Sequence, residues 1–338
     1  MSRCLVTGGA GLIGSHLVDS LVKAKHDVWI IDNLSTGNKS NLSPDLNGFF
    51  YERDLKDREV VELIVKTIQP EVVYHLAAFA HEGLSQFCPS LIIENNINAS
   101  TNLLVALIRN KVKRFVFTSS IAVYDNQKAP FIEDMPRSPV DIYGITKATF
   151  ENMLEVMSSV YGFEYCIFRP HNVFGSHQSL ADPYRNVIGI FMNRILHNKP
   201  FFLYGEGEQR RSFSFVKDIT PILMKGGFAP EAKNQIFNIG ADRDYSINDL
   251  ATMILSITGA KHLKPIYLPD RPQEVSKVFC SHDKVSDKLG FEDKTSLRDG
   301  LVEMWEWAQK QGPQKFKHLE SLELTNDKTP TIWKNKTL

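Results

Sequence analysis

The feature that most constrains this chain is Thr7-Gly8-Gly9-Ala10-Gly11-Leu12-Ile13-Gly14. It follows a short apolar run, Arg3–Thr7, and opens Leu12–Lys25, whose Leu12, Ile13, His16, Leu17, Ser20 and Leu21 share one helical face. A strand that turns through glycines into a helix is a site for phosphate. Gly8 permits the tight turn, Gly11 removes a side chain where a pyrophosphate must approach the backbone, and Gly14 lets the helix pack on the sheet. The helix N-terminus then offers free N–H groups and a partial positive charge. The spacing is G-x-x-G-x-x-G, one residue wider than the commonest dinucleotide fingerprint. A glycine-rich turn without a ligand is the competing reading, and Asp32 weighs against it. Asp32 ends the next apolar run, Asp27–Asp32, about 20 residues on, where a carboxylate accepts bonds from a ribose hydroxyl. A carboxylate there repels a 2′-phosphate, which predicts NAD rather than NADP. Asp32 also reads as a strand-terminal turn residue, since Asn33 and Gly37 follow it. Asp54-Leu55, after a third run, suits either the adenine edge or a helix N-cap.

Strand and helix patterns continue to alternate through Phe49–Arg53, Arg58–Ile68, Val72–Leu76, Leu91–Asn110, Arg114–Ser120, Tyr143–Tyr161 and Glu164–Arg169. The strands are continuous apolar runs, as in a parallel sheet covered on both faces, which predicts a doubly wound α/β fold. After Pro170 the rhythm breaks. Asn186–Asn198 reads as a helix, Phe201–Tyr204 and Ser212–Val216 as short strands, and Ile236–Gly240 as a return to the main sheet. The expected organisation is a dinucleotide-binding domain over 1–174 with return segments near 217–242. A smaller mixed α/β substrate-binding lobe covers 175–216 and 243–312, with the helix-like Ser296–Gln311. A polar, lysine-rich tail over 313–338 is expected to be partly disordered.

Lysine plus arginine and aspartate plus glutamate are equal at 39 each, so charge gives no reason to expect nucleic acid or an anionic membrane as a partner. The cysteines Cys4, Cys88, Cys166 and Cys280 form no C-x-x-C pair, which argues against a zinc site or disulfide framework and suits a reducing compartment. No metal is expected. The chain enters a strand almost at once, without a signal-peptide pattern, and no run approaches the ~18 apolar residues of a membrane helix. The expectation is a soluble, cytoplasmic protein.

Tyr143 and Lys147, in Tyr143-Gly144-Ile145-Thr146-Lys147, are four apart at the start of a helix and share a face. A lysine cation beside a phenol favours the phenolate, lowering its pKa from about 10 toward working pH. Tyr143 would then take a hydroxyl proton while hydride leaves the same carbon. Ser120 follows a strand, at the end where open α/β sheets place ligands, and would bond the same hydroxyl. Alone, Tyr-x-x-x-Lys is most often structural and a strand-end serine most often caps a loop. The conjunction and order of the three signals carry the reading.

These residues resemble the extended short-chain dehydrogenase/reductases that act on nucleotide sugars. The resemblance covers about residues 2 to 305 and rests on TGGAGLIGSHL (7–17), DNLSTG (32–37), HLAA (75–78), TSSIAVY (118–124), YGITK (143–147), RPHNVFG (169–175), GEGEQRRSFSFV (205–216) and RP (271–272). Within the family the chain is most similar to the UDP-sugar 4-epimerases. The resemblance implies a Rossmann-type fold and a catalytic set of Ser120, Tyr143 and Lys147. It implies an NAD site lined by Gly8, Gly11, Leu12, Ile13, Asp32, Asn33, Ser35, Thr36 and Gly37. Asp54, Leu55, Leu76, Ala77, Ala78 and Pro170 complete it, with Tyr143 and Lys147. Substrate contacts would come from Ser120, Tyr143, Asn172, Arg211 and Arg271, the arginines pairing with a diphosphate as guanidinium forks do. Whether Arg210 or Arg211 turns inward stays open. The helices over 98–110 and 146–161 resemble a dimer contact of the family, so a homodimer is expected.

The same resemblance discriminates among reactions. Related 4,6-dehydratases carry an Asp-Glu pair after the strand-end hydroxyl residue, decarboxylases a glutamate, and 3,5-epimerases a cysteine; here Ile121 and Ala122 follow Ser120. What remains is 4-epimerisation by transient oxidation to a 4-keto sugar and re-reduction on the opposite face. The alternatives are a one-way NAD-dependent dehydrogenase or reductase of a nucleotide sugar, or a non-catalytic NAD-binding protein of the same fold. The chain departs from the family at Asp125 and Gln273, where glycines are usual. His81-Glu82-Gly83 reads as solvated loop or sugar contact, Val278 falls near a position that gates sugar size, and His171 reads as a structural histidine.

Overall fold

Seven of the apolar runs form one parallel sheet: β1 (Arg3–Thr7), β2 (Asp27–Asp32), β3 (Phe50–Glu52), β4 (Val72–His75), β5 (Arg114–Thr118), β6 (Glu164–Pro170) and β7 (Gln235–Ile239). Their spatial order is β7-β6-β5-β4-β1-β2-β3, every pair parallel. The chain reverses its direction of winding between β1 and β4, and this opens a crevice at the carboxyl ends of those strands. The computed structural model describes all residues but Asn47, Asp125, Gln273, Glu274 and Ser276, and the side chain of Lys277. The departures at Asp125 and Gln273 therefore lie outside the described residues.

The sheet is apolar on both faces because side chains alternate along each strand. In β1, Cys4 and Val6 join a cluster with Leu17, Leu21, Ile222 and Leu223. Leu5, between them, points the other way and joins Val61, Ile64, Leu103, Phe150 and Leu154. Helices Leu12–Lys23 and Val216–Gly226 thus cover one face, and Arg58–Ile68, Pro89–Arg109 and Ile142–Tyr161 the other. Pro89–Arg109 is long and apolar enough, by length and composition, to cross a bilayer. The sequence pattern predicts a helix over Leu91–Asn110 and no run near membrane length; Leu103, Leu104 and Leu107 of this segment are buried against the sheet.

Two helices differ from expectation. Val216 begins the helix Val216–Gly226, and the strands there are Arg210–Ser212 and Ser214–Phe215. Pro221 within that helix, and the glycines that end it, obscure its period. The helix Ile247–Thr258 was signalled by a capping box, Ser246 with Asp249, that the apolar pattern alone passes over. The second lobe has its own core around Phe174, Phe191, Phe201, Leu250 and Leu301. Segment 313–338 corrects the expectation of disorder. It is polar on average, but Phe316, Ile332 and Trp333 are buried, and that apolar burial holds it on the molecule.

The helix Ile142–Tyr161 is fixed by a buried charge cluster. Glu151 accepts from Arg169 Nε at 2.9 Å and from Arg137 Nε at 2.6 Å, and neither Glu151 nor Arg169 reaches solvent appreciably. Burial alone would raise the Glu151 carboxyl, but the two guanidinium groups hold it below its ordinary range. Glu151→Gln leaves Arg169 buried with a neutral partner. We expect a loss of about 3–5 kcal/mol in the urea-unfolding free energy; an unchanged midpoint and slope would contradict this.

Candidate active site

At the crevice the first turn is built by close backbone approach. Gly8 N–H donates to Ile31 O at 2.9 Å, and Gly8 adopts a left-handed φ of 70°. A Cβ at Gly14 would lie 2.1 Å from Gly8 O, so only glycine lets the helix start this close to the turn. Gly11 is the N-cap and brings no side chain to occupy the first helical amides. These N–H groups are what a pyrophosphate requires. Asp32 is buried at the end of β2, where Oδ2 accepts from Ala10 N–H at 2.9 Å and Oδ1 from Leu34 N–H at 2.8 Å. Burial nevertheless raises its pKa, against those two backbone bonds. Asp32 therefore ties the glycine turn to the second strand and still faces the cleft. A side-chain-free helix start beside a carboxylate fits a dinucleotide.

Gly8, Gly11, Leu12, Ile13, Asp32, Asn33, Ser35 and Thr36 line one continuous cleft. Asp54, Leu55, Leu76, Ala77, Ala78 and Pro170 line it too. Gly37 does not; it lies against Ala10, whose backbone oxygen would be 3.0 Å from a Cβ there. Asp54 is not a helix cap, since Asp57 caps Arg58–Ile68; Asp54 Oδ2 accepts from Asn33 Nδ2 at 3.1 Å.

Ser120, Tyr143 and Lys147 meet on the cleft wall. Asp141 caps the helix by accepting from Gly144 N–H at 2.6 Å. A Cβ at Gly144 would come within 2.6 Å of Ala122 O, so glycine lets the helix press on the turn Ile121–Val123 that follows Ser120. Lys147 is buried, donates to Thr118 O at 2.8 Å, and its Nζ stands 5.8 Å from the centre of the Tyr143 ring. The expected acidification of Tyr143 by Lys147 does not hold among the protein groups. Burial raises the phenol well above its ordinary range, and the groups that pull it down are Arg185 and a bond with Ser120. Burial also pushes Lys147 down to about 7, with Arg185 acting in the same direction.

The opposite side of the cleft carries the expected substrate contacts. Asn172, Arg211, Arg271 and Val278 line the cleft. Asn172 donates to Ser212 O at 3.0 Å. Arg210 pairs with Asp244 at 2.9 Å, outside the cleft, so Arg211 is the inward arginine of the two. Val278 is buried opposite Arg211 in the strand register and packs with Ile121 and Tyr124. His171 is buried with its Nε2 3.0 Å from His282 Nε2, and burial lowers its pKa to about 3.

His81-Glu82-Gly83 is not solvated loop. His81 is buried and meets Asp182 Oδ2 at 2.8 Å, while Glu82 and Gly83 line the cleft. Asp182 Oδ1 accepts the N–H groups of Tyr184 (2.9 Å) and Arg185 (3.2 Å), so His81 fixes the loop that carries Arg185 toward Tyr143. Sequence reasoning missed Arg185, Tyr204 and Trp333 as cleft residues and left Glu82 between solvated loop and sugar contact. Arg185 lies on a loop, Tyr204 ends the short strand Phe202–Tyr204, and Trp333 comes from the short helix Thr331–Lys334 of a distant segment, stretches too short for periodicity to mark them.

The family model described as NAD dependent epimerase/dehydratase family matches residues 4–240. This chain belongs to that family. Its cofactor is NAD. It is 34% identical over 306 residues to a protein named putative UDP-glucose 4-epimerase from Methanocaldococcus jannaschii, covering 90% of this chain and 97% of that one. The crystal structure of a UDP-glucose 4-epimerase with UDP-glucose, from Thermotoga maritima, superimposes with a TM-score of 0.86 at 36% identity, covering 91% of this chain and 99% of the other. A UDP-glucose 4-epimerase complex with NAD from Thermus thermophilus gives 0.83 at 30% identity, covering 90% and 98%.

The depressed Lys147 pKa carries a sign. Between about 7 and its ordinary 10.5, the unfolded chain holds a proton at this lysine that the folded chain lacks. Stability therefore rises with pH across that window, is lost as pH falls back toward about 7, and takes no further change from this group below it. In Lys147→Met this contribution disappears. The melting temperature of the wild type should gain on that of the variant between pH 7 and 10; parallel pH profiles would contradict it.

Proposed function

We propose that this protein is an NAD-dependent nucleotide-sugar 4-epimerase whose substrate is a UDP-sugar. The observation that carries this is the meeting of Tyr143 and Ser120 on the cleft wall, with Ile121 and Ala122 buried where an acid pair would serve dehydration. The dinucleotide supplies the hydride acceptor and, later in the cycle, the donor, so no oxidant is consumed. Tyr143 takes the proton of the C4 hydroxyl and later returns one, and Ser120 holds the same oxygen. Lys147 holds the cofactor ribose beside the phenol. Asn172 orients the sugar. Arg211 and Arg271 anchor the diphosphate, so that the 4-keto sugar turns over without leaving and is re-reduced on its other face.

The alternative, a one-way dehydrogenase or reductase of a nucleotide sugar, would accumulate or consume free cofactor. We further propose a homodimer through the helices Pro89–Arg109 and Ile142–Tyr161, on which Ile93, Val156, Val160 and Tyr161 are exposed. Four buried free cysteines support a reducing compartment such as the cytoplasm.

Purified protein given UDP-glucose, UDP-N-acetylglucosamine or UDP-glucuronate without added NAD should convert at least one of them to its C4 epimer, as read by mass spectrometry and NMR. Tyr143→Phe should lower turnover by about 10²-fold or more and keep the cofactor bound. Turnover that survives the substitution rules out the assigned base.

A further inference from the structure

The cleft has a wall that neither the dinucleotide site nor the Tyr143 cluster uses. Segment 313–338 lies beyond residues 4–240, which the family model spans, and it runs across both lobes. On the second lobe, Gln314 N–H donates to Asn193 Oδ1 at 2.9 Å and Lys317 N–H to Ala181 O at 2.8 Å. On the cofactor domain, Glu323 accepts the N–H groups of Ser90 (2.9 Å) and Leu91 (2.8 Å), and Leu324 N–H donates to Phe87 O at 3.0 Å. The segment then turns back, and Ile332 and Trp333 enter the cleft.

Trp333 is 3% exposed and meets Phe87, Tyr184 and Tyr204 edge-on, at ring-centre distances of 6.2, 5.6 and 6.4 Å. The Arg271 guanidinium lies over the Tyr204 ring, 4.7 Å from its centre. Gly83 marks where the group converges. A Cβ there would be 3.2 Å from Arg271 Nη1 and 3.4 Å from Trp333 Cη2. Tyr204 supports the face of the guanidinium, and Trp333 packs against both Tyr204 and the Gly83 backbone that borders it. A cation stacked on an aromatic ring is oriented as well as stabilised.

We propose that segment 313–338 is a working part of the substrate site, and that Trp333 is a positioning residue that holds Arg271 to grip a nucleoside diphosphate. The inference rests on the reading of this cleft as a nucleotide-sugar site. It adds that diphosphate affinity depends on a strap tying the two lobes together, through a residue that touches no reacting atom.

The test is calorimetric titration of the full chain, carrying its own cofactor, with UDP and separately with uridine, which lacks the diphosphate. Trp333→Ala should weaken UDP by about tenfold, or ~1.4 kcal/mol, and leave uridine affinity nearly unchanged. Trp333→Phe should restore most of the loss, and cofactor content should be unaltered. Glu323→Ala, outside the cleft, should weaken UDP in the same direction by loosening the strap, and it decides the matter if Trp333→Ala does not fold. Unchanged UDP affinity, or an equal loss for UDP and uridine, overturns the proposal. So does a wild type that binds neither UDP nor inorganic pyrophosphate. A wild type that binds UDP but turns over no sugar sinks the 4-epimerase reading alone.

Discussion

The site depends on how closely the helix Ile142–Tyr161 approaches β5 and β6. Gly144 lets its first turn press on the Ala122 carbonyl, and one turn later Lys147 reaches back to the carbonyl of Thr118 at the end of β5. A further turn on, Glu151 locks onto Arg169 in β6, immediately before Pro170 on the cleft wall. These three attachments fall at successive turns of one helix, so they fix its depth, rotation and tilt together. Loosening any one would move Tyr143 relative to both Ser120 and the glycine turn. The buried Glu151 is costly to desolvate, and its two guanidinium partners offset that cost.

That placement sets the electrostatics. A phenol and an ammonium buried side by side both resist charging, so burial raises Tyr143 and lowers Lys147. The expectation that the lysine would acidify the phenol left out this shared desolvation and Arg185, which the loop after Asp182 brings toward both groups. Glu82 and a buried Asp141, pushed up to about 7 by burial and by Glu82, add charge of the opposite sign nearby. The phenol sits among protein groups that keep it protonated, and the positive nicotinamide of a bound NAD would favour its ionised form.

The fold class was legible because its signals are local. β1, its glycine turn and the following helix lie within residues 3–23, and the later strands of the main sheet are built on short apolar runs. The candidate cofactor residues were legible for the same reason, with Gly37 the exception, since nothing in a sequence tells a glycine facing the cleft from one packed on Ala10. What was hidden was long-range. His81 pairs with Asp182 across 101 residues, and Trp333 reaches the cleft from a stretch whose average polarity reads as a solvated tail. The choice between Arg210 and Arg211 turned on which one meets Asp244, two positions along the neighbouring strand from Ser246, the register partner of Arg210, and adjacency in sequence does not reveal this.

The central claim is that Tyr143 and its neighbours carry out an oxidation that is undone before the sugar leaves. Rapid mixing of the protein, carrying only its own cofactor, with a UDP-sugar while following the fluorescence of reduced nicotinamide tests this most directly. The account predicts a transient, protein-bound signal that decays as the C4 epimer forms, with no reduced cofactor in the filtrate. Steady accumulation of free reduced cofactor, or epimer formation with no bound signal in single-turnover conditions, would contradict it.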